Sequence, residues 1–474
     1  MATYDAILRD GLVVDPANGV HRVADVALKD GKVAAVGSVS GDATAEHDVA
    51  GRVVMPGIVD LHVHLSPWLG GAEGHRMLAL AGVTTALDMA GPVEGVVSLA
   101  ASHGAGLNIA CIDYLRPGHT VAGEDPGEAE LADTLTRAQK AGAIGLKLLG
   151  GHFPLTPEAS AAAIKVANDR GAYVAFHVGT LAHHSTIDGV AEACELTAGG
   201  RLHMAHINSY CRGQVREAIV EGEEAMAHLR ANPAIWSESY LAPFNGVSAK
   251  CAGGAPESLA TRRSLERGGY APTEDGMAAA IAGGWAMIHA TKDGAIVLVS
   301  GDEALALWRA RDTNIGASFI SNPPEPRIRL VTATEADGRF SVDCLATDGG
   351  GIPRNDIVAR GLPLVRLDAL TLDGFVTKAS WAPAVALGIG AQKGHLGLGA
   401  DGDVTVLDMA ELKPTMSYAN GRLVMRDGAV FGAGSRMIVT AAGERTCRDA
   451  GLDTLTVEPG AMLPPRAEAM APRH

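Results

Sequence analysis

Two histidines, His62 and His64 in Met55-Pro-Gly-Ile-Val-Asp-Leu-His-Val-His-Leu65, open the chemistry of this 474-residue chain. On an extended strand alternate side chains share a face, so both imidazoles are placed to grip one divalent metal ion. A His-x-His also arises by chance, and its weight depends on its company. Four other apolar runs end in a group that ligates or titrates: Lys147 in Gly-Ala-Ile-Gly-Leu-Lys, His177 in Tyr-Val-Ala-Phe-His, His206 in Leu-His-Met-Ala-His and Asp348 in Cys-Leu-Ala-Thr-Asp. Taken singly, each has a bland reading: a lysine that snorkels, histidines satisfied in a core, an aspartate that caps the turn before Gly349-Gly350. Six such coincidences in register are harder to accept.

The elements that carry these residues alternate. From Gly57 onward, short apolar runs at 58–65, 83–88, 108–113, 143–148, 173–178, 202–207, 235–240 and 340–347 are separated by helical segments, of which 126–142 and 156–171 are the clearest. Eight strands alternating with helices predict an α/β (β/α)8 TIM-like barrel, in which the carboxyl ends of all strands meet at one mouth. Residues 1–55 read instead as short strands, 4–8, 12–14, 23–29 and 32–36, with Asp-Gly at 10–11 and 30–31 as hairpin signals. Similar strands return near 398–408 and 417–424. The expected organisation is therefore a small β-sandwich domain built from both chain ends (1–55 plus 395–440), a barrel over 56–394 and a C-terminal extension, 441–474, without a clear element. The barrel carries an insertion around 246–338, too long for an ordinary loop.

Composition narrows the function classes. The chain has 59 Gly against 5 Trp, 7 Tyr and 7 Phe, with 47% hydrophobic and 20% charged residues, which fits a packed, turn-rich protein with an aliphatic interior and excludes collagen and disorder. A formal charge of −15 with no Lys/Arg block argues against nucleic acid or an anionic membrane as partner. No apolar run approaches the roughly 20 residues of a membrane span, no leader is evident, and the six cysteines form no C-x-x-C pair, so a cytoplasmic setting is expected.

These motifs together resemble the amidohydrolase superfamily of metal-dependent hydrolases. The resemblance rests on Asp10-Gly-Leu-Val-Val-Asp-Pro, Asp30-Gly-Lys-Val-Ala-Ala-Val-Gly, the Pro-Gly-Ile-Val-Asp-Leu-His-Val-His block, Ala81-Gly-Val-Thr-Thr85 and Gly397-Leu-Gly-Ala-Asp-Gly-Asp-Val. It implies that His62, His64 and Asp348 hold the more buried metal and His177 and His206 the second. Lys147 would carry a CO2-derived carbamate bridging the two ions. The ions would be divalent, zinc first, with manganese, cobalt or iron open. Within His203-Met-Ala-His206, the residue nearer the strand end is chosen, 29 residues after His177. That interval is similar to the D-aminoacylase and isoaspartyl-dipeptidase branches. The bridging lysine points toward hydantoinases, since D-aminoacylases use a cysteine on the second strand, where this chain has Asp88-Met89.

Five residues after the lysine, where hydantoinases carry a tyrosine that polarises the substrate carbonyl, stands His152. His152, Tyr210 and Tyr240, in that order, are the candidate donors. Arg212 and Arg354, after the sixth and eighth strands, are placed to meet a substrate carboxylate. The resemblance implies hydrolysis of an amide-type C–N bond by hydroxide held between two metals, with Asp348 as proton acceptor and then donor. The expected substrate is a small molecule, a cyclic amide such as a hydantoin, dihydropyrimidine or imide; N-acyl amino acids and isoaspartyl dipeptides come next. Deamination of a cyclic amidine and a non-catalytic scaffold are further alternatives, disfavoured by Lys147 and by the intact ligand set. Relatives are commonly dimers or tetramers, so a homodimer or homotetramer is expected.

Overall fold

The computed structural model describes residues 3–466. Its centre is a parallel barrel of β1 (Ile58–His64), β2 (Val83–Ala90), β3 (Ala105–Leu115), β4 (Gly145–Leu149), β5 (Tyr173–His177), β6 (Leu202–Met204) and β7 (Ile235–Ser239). An eighth position, β8, is filled by two fragments: Cys344–Leu345 pairs with β7 and Gly349–Gly350 pairs with β1. The circle is thus closed by a strand broken at Asp348, whose φ of 52° turns the chain between the two pairings. Gly350 follows at φ 73°, and a Cβ there would lie 2.5 Å from the His64 carbonyl oxygen. The expected strand over 340–347 is therefore shorter, because the chain spends these residues on turning the aspartate inward.

Helices cover the outside. Glu128–Ala141 and Pro157–Asp169 lie where the sequence placed them, the second capped by Thr156, whose hydroxyl accepts from the Ala159 amide at 3.1 Å. The sixth strand stops at Met204, short of the expected Ile207, because His206 adopts φ 36° and Ile207–Tyr210 coil into a 3-10 turn.

Both chain ends build a nine-stranded mixed sheet around its own apolar core. Asp30-Gly31 makes the predicted hairpin turn between Val20–Lys29 and Lys32–Gly37. Asp10-Gly11 does not: Tyr4–Asp15 is one continuous strand, bulged between Leu8 and Gly11 with Asp10 at φ 58°. A left-handed residue serves a bulge as well as a turn, and the sequence alone does not separate them.

Gly434–Val439 pairs in parallel with β3 and with Asp453–Thr456. The extension is more ordered than expected. It forms the helix Glu444–Asp449 and then runs beneath the barrel, where Trp236 Nε1 donates to the Pro464 carbonyl at 2.7 Å and Arg466 Nε to Asp343 Oδ1 at 2.8 Å. Pro472 lies outside the described residues.

The insertion is a folded unit. Val247–Ser248, Gly316–Phe319, Ala286–Lys292 and Ala295–Val299 form a four-stranded antiparallel sheet, packed by Leu259–Arg267, Glu274–Ala282 and Gly301–Ala310 around Leu265, Met277, Ile288, Trp308 and Phe319.

Candidate active site

The strand ends converge as barrel geometry requires. His62 and His64 close β1, Lys147 lies on β4, His177 ends β5, His206 follows β6 and Asp348 sits in the break of β8. All six line one cavity of about 460 Å³. Asp348 Oδ1 is 2.8 Å from His64 Nε2 and 3.3 Å from His62 Nε2. His206 Nε2 lies 3.1 Å from His177 Nδ1, and the His62 and His206 rings stack with centroids 5.0 Å apart. One ligand atom each from His62, His206 and Asp348 falls within a 4.8 Å span.

That donor set fits a divalent ion, as does what it leaves unsatisfied. His206 Nδ1 and Lys147 Nζ are buried without hydrogen-bond partners, which apolar packing alone would penalise. His62, His206 and Asp348 together can therefore offer ligand atoms to one ion. Burial lowers the Lys147 amine to about 8 and pushes the imidazoles of His62, His177 and His206 well below their ordinary value, so the three imidazoles are held in the neutral, ligating form. For Asp348 burial acts upward, but Arg354 and His64 outweigh it and hold the carboxyl below its usual range.

Three supports were not singled out in the sequence. Glu238, near the end of β7, accepts from His62 Nδ1 and from the His206 amide, both at 2.6 Å. It carries the same signal as the others, an ionisable residue at a strand end. Asp60 joins β1 to β8 by accepting from Thr347 Oγ1 at 2.5 Å and from the His62 amide at 3.1 Å; burial lifts it to about 7. Ser258, from the insertion, meets His152 Nδ1 at 3.0 Å. No local signal marks it.

The second-tier candidates divide. His152 does enter the site: it lines the cavity, packs edge-on to His177 at 5.0 Å and is lowered to about 4 by burial. The glycines before it are required, because a Cβ on Gly151 would sit 1.9 Å from His177 Nε2. Tyr240 also lines the cavity, its hydroxyl 3.0 Å from both Ser209 Oγ and Asn322 Nδ2. Arg212 lines it too, held by Asn322 Oδ1 at 2.8 Å.

Two do not reach it. Tyr210 is buried behind His206 and does not line the cavity; its hydroxyl accepts from the Val178 amide at 2.9 Å, which braces β5. Arg354 is buried, pairs with Asp348, donates to the Phe244 carbonyl at 2.8 Å and stacks on the Tyr240 ring at 4.5 Å. It serves the aspartate instead of a substrate carboxylate.

No family model matches the chain. Among curated proteins, an allantoinase of Escherichia coli O1:K1 is 41% identical over 92 residues, covering 18% of this chain and 20% of that protein, so the match spans about a fifth of such relatives. Among solved structures, the N-acyl-D-glutamate deacylase of Bordetella bronchiseptica, complexed with zinc and a phosphonate inhibitor, superposes with a TM-score of 0.65 at 16% identity, covering 91% of this chain and 98% of that one. A D-aminoacylase gives 0.63 at 18% over 92% and 100%. A D-hydantoinase gives 0.59 at 17% over 93% and 99%. The chain shares its fold with these deacylase, D-aminoacylase and D-hydantoinase structures.

Proposed function

We propose that the protein is a metal-dependent hydrolase of an amide-type C–N bond, acting first on cyclic amides of the hydantoin, dihydropyrimidine or imide kind. The carrying observation is the convergence of His62, His64, Lys147, His177, His206 and Asp348 on one cavity at the strand ends. His62, His206 and Asp348 would hold a metal ion, with His64 and His177 beside them, and Lys147 is the residue on which CO2 would form a carbamate, since its buried amine is shifted toward the neutral, reactive form. Two ions, zinc by preference, are the proposed complement. When bound, they supply an activated water and polarise the scissile carbonyl.

The chain's own residues do the rest. Glu238 fixes the His62 ring through Nδ1, which leaves Nε2 for ligation. Asp348, kept ionised by Arg354, takes a proton from the attacking water and returns it to the leaving nitrogen. His152, whose Nδ1 is engaged by Ser258, retains Nε2 as its remaining hydrogen-bonding atom, the donor proposed for the substrate carbonyl. A second reading, deacylation of an N-acyl amino acid, is favoured by Arg212 in the cavity wall. Among the described residues no helix is long and apolar enough to cross a membrane, and all six cysteines are free, which suits the proposed cytoplasmic setting.

The test is metal analysis followed by a panel of hydantoins, dihydropyrimidines, cyclic imides and N-acyl amino acids. Ring opening that is abolished by chelation and restored by zinc is the expected result. Ammonia as sole product, or full activity without metal, overturns it.

A further inference from the structure

The wall of the cavity opposite the strand ends comes from the insertion. Besides Lys147, five cations line the cavity, Arg116, Arg212, Lys250, Arg263 and Arg267, although the chain as a whole carries −15. Only two carboxylates face them. Glu257 is paired with Lys250 at 3.2 Å, and Asp348 with Arg354. An acidic molecule that gathers positive charge at one mouth concentrates anions there.

Most of these cations have internal work. Arg116 stacks on Phe153 at 4.2 Å; Arg267 donates to the Ser321 carbonyl at 3.1 Å and to the Arg212 carbonyl; Arg212 is tied to Asn322. Arg263 differs. It is half-buried in the cavity wall, yet its guanidinium makes no hydrogen bond and no ion pair with any described residue; Glu266, one turn on, acts on it without pairing. Partly desolvating a guanidinium without a partner is unfavourable unless a ligand supplies one.

The helix that presents it is rigidly seated. Leu259–Arg267 is held by Asn245 Nδ2 to Ser264 Oγ at 3.1 Å, Trp285 Nε1 to the Ser264 carbonyl at 2.9 Å and Thr261 Oγ1 to the Ser248 carbonyl at 2.7 Å. Ser258, immediately before it, is the partner of His152.

We infer that Arg263 is a specificity residue: the insertion closes the cavity around a substrate that bears a carboxylate away from the scissile amide, and Arg263 binds that group, with Arg212 nearby on the barrel side. Resting on the hydrolase reading above, this narrows the substrate to an amide, ring or open, with an anionic substituent.

The metal-loaded full chain, wild type, Arg263→Met and Arg263→Lys, is assayed on a hydantoin with a carboxymethyl substituent and on the same ring with the neutral carbamoylmethyl group. Wild type is expected to prefer the acid by at least tenfold in kcat/KM. Arg263→Met collapses that ratio toward one, chiefly through KM, and Arg263→Lys restores part of it. Calorimetry with glutarate, which has no scissile bond, is expected to show binding weakened at least tenfold by Arg263→Met. Equal losses on both substrates, or a wild-type preference for the neutral ring, overturn the anion site while leaving the hydrolase reading intact. Hydrolysis of neither ring, with glutarate binding still dependent on Arg263, overturns the cyclic-amide reading and supports the anion site.

Discussion

Glu238 shares a single carboxylate oxygen between the His62 ring and the His206 backbone, so one buried side chain sets the aim of two metal-competent residues on different strands. Removing such an outer partner typically costs ten- to a hundredfold in metal affinity. Glu238→Ala is expected to lose about that much in a competition titration against a chromogenic chelator, and Glu238→Gln, which keeps an acceptor oxygen, less. Circular dichroism separates this from unfolding, and unchanged affinity in the alanine variant would remove Glu238 from the site. The residues at strand ends were legible in the sequence because barrel topology alone sends them to one place. The fate of Arg354 was not. Its position after β8 suits a substrate contact and an Asp348 partner equally, and only packing against Tyr240 decides between them.

At the scale of elements, the helix Gly71–Leu80 carries His75 fully buried, with neither ring nitrogen hydrogen-bonded. Burial lowers this imidazole to about 4, with His103 adding to the effect. The unfolded chain protonates His75 below about pH 6.5 and the folded one only below about 4, so the unfolded state binds more protons between these values. Its contribution is full above pH 6.5 and is lost on acidification toward 4, an effect on the order of 3 kcal/mol. Chemical denaturation from pH 7.5 to 4.5 is expected to show a shallower acid loss for His75→Leu than for wild type; parallel curves would rule the residue out as the source. Helix and strand periodicity were readable where local pattern and cap agreed, as at Thr156 before Pro157–Asp169. They failed where one left-handed residue redirected the backbone, at Asp10, His206 and Asp348, because such conformations are selected by long-range pairing.

For the molecule as a whole, the junction between the small sheet and the barrel is a buried charge network. Lys393 Nζ lies 2.8 Å from both Asp401 and Asp403, and Asp403 also accepts from Asn108 of β3 at 3.1 Å. Arg436, on the strand that joins the barrel, reaches Asp401 at 3.3 Å. Breaking a buried pair from one side leaves an uncompensated charge and typically costs 3–5 kcal/mol. Lys393→Met is expected to destabilise by about that much in urea unfolding, and a change below about 1 kcal/mol would show that the network is held mainly by its other members. The union of the two chain ends was visible in the repeated hairpin-like strands. The path of the tail beneath the barrel was not, since its buried apolar residues, Leu452, Val457, Met462 and Leu463, follow no helical or strand period and find their place only against distant parts of the chain, beside hydrogen bonds to Trp236 and Asp343.

The small sheet also imposes an order in time. Val53–Pro56 takes Val404–Asp408 as its antiparallel neighbour, so this strand has an unpaired edge until the ribosome has added some 350 further residues. Through that interval the first segment presents Val53, Val54 and Met55, which are buried in the finished protein. Closing so long a loop is slow. An apolar strand edge that waits on so distant a partner is open to wrong pairing for as long as the partner is missing.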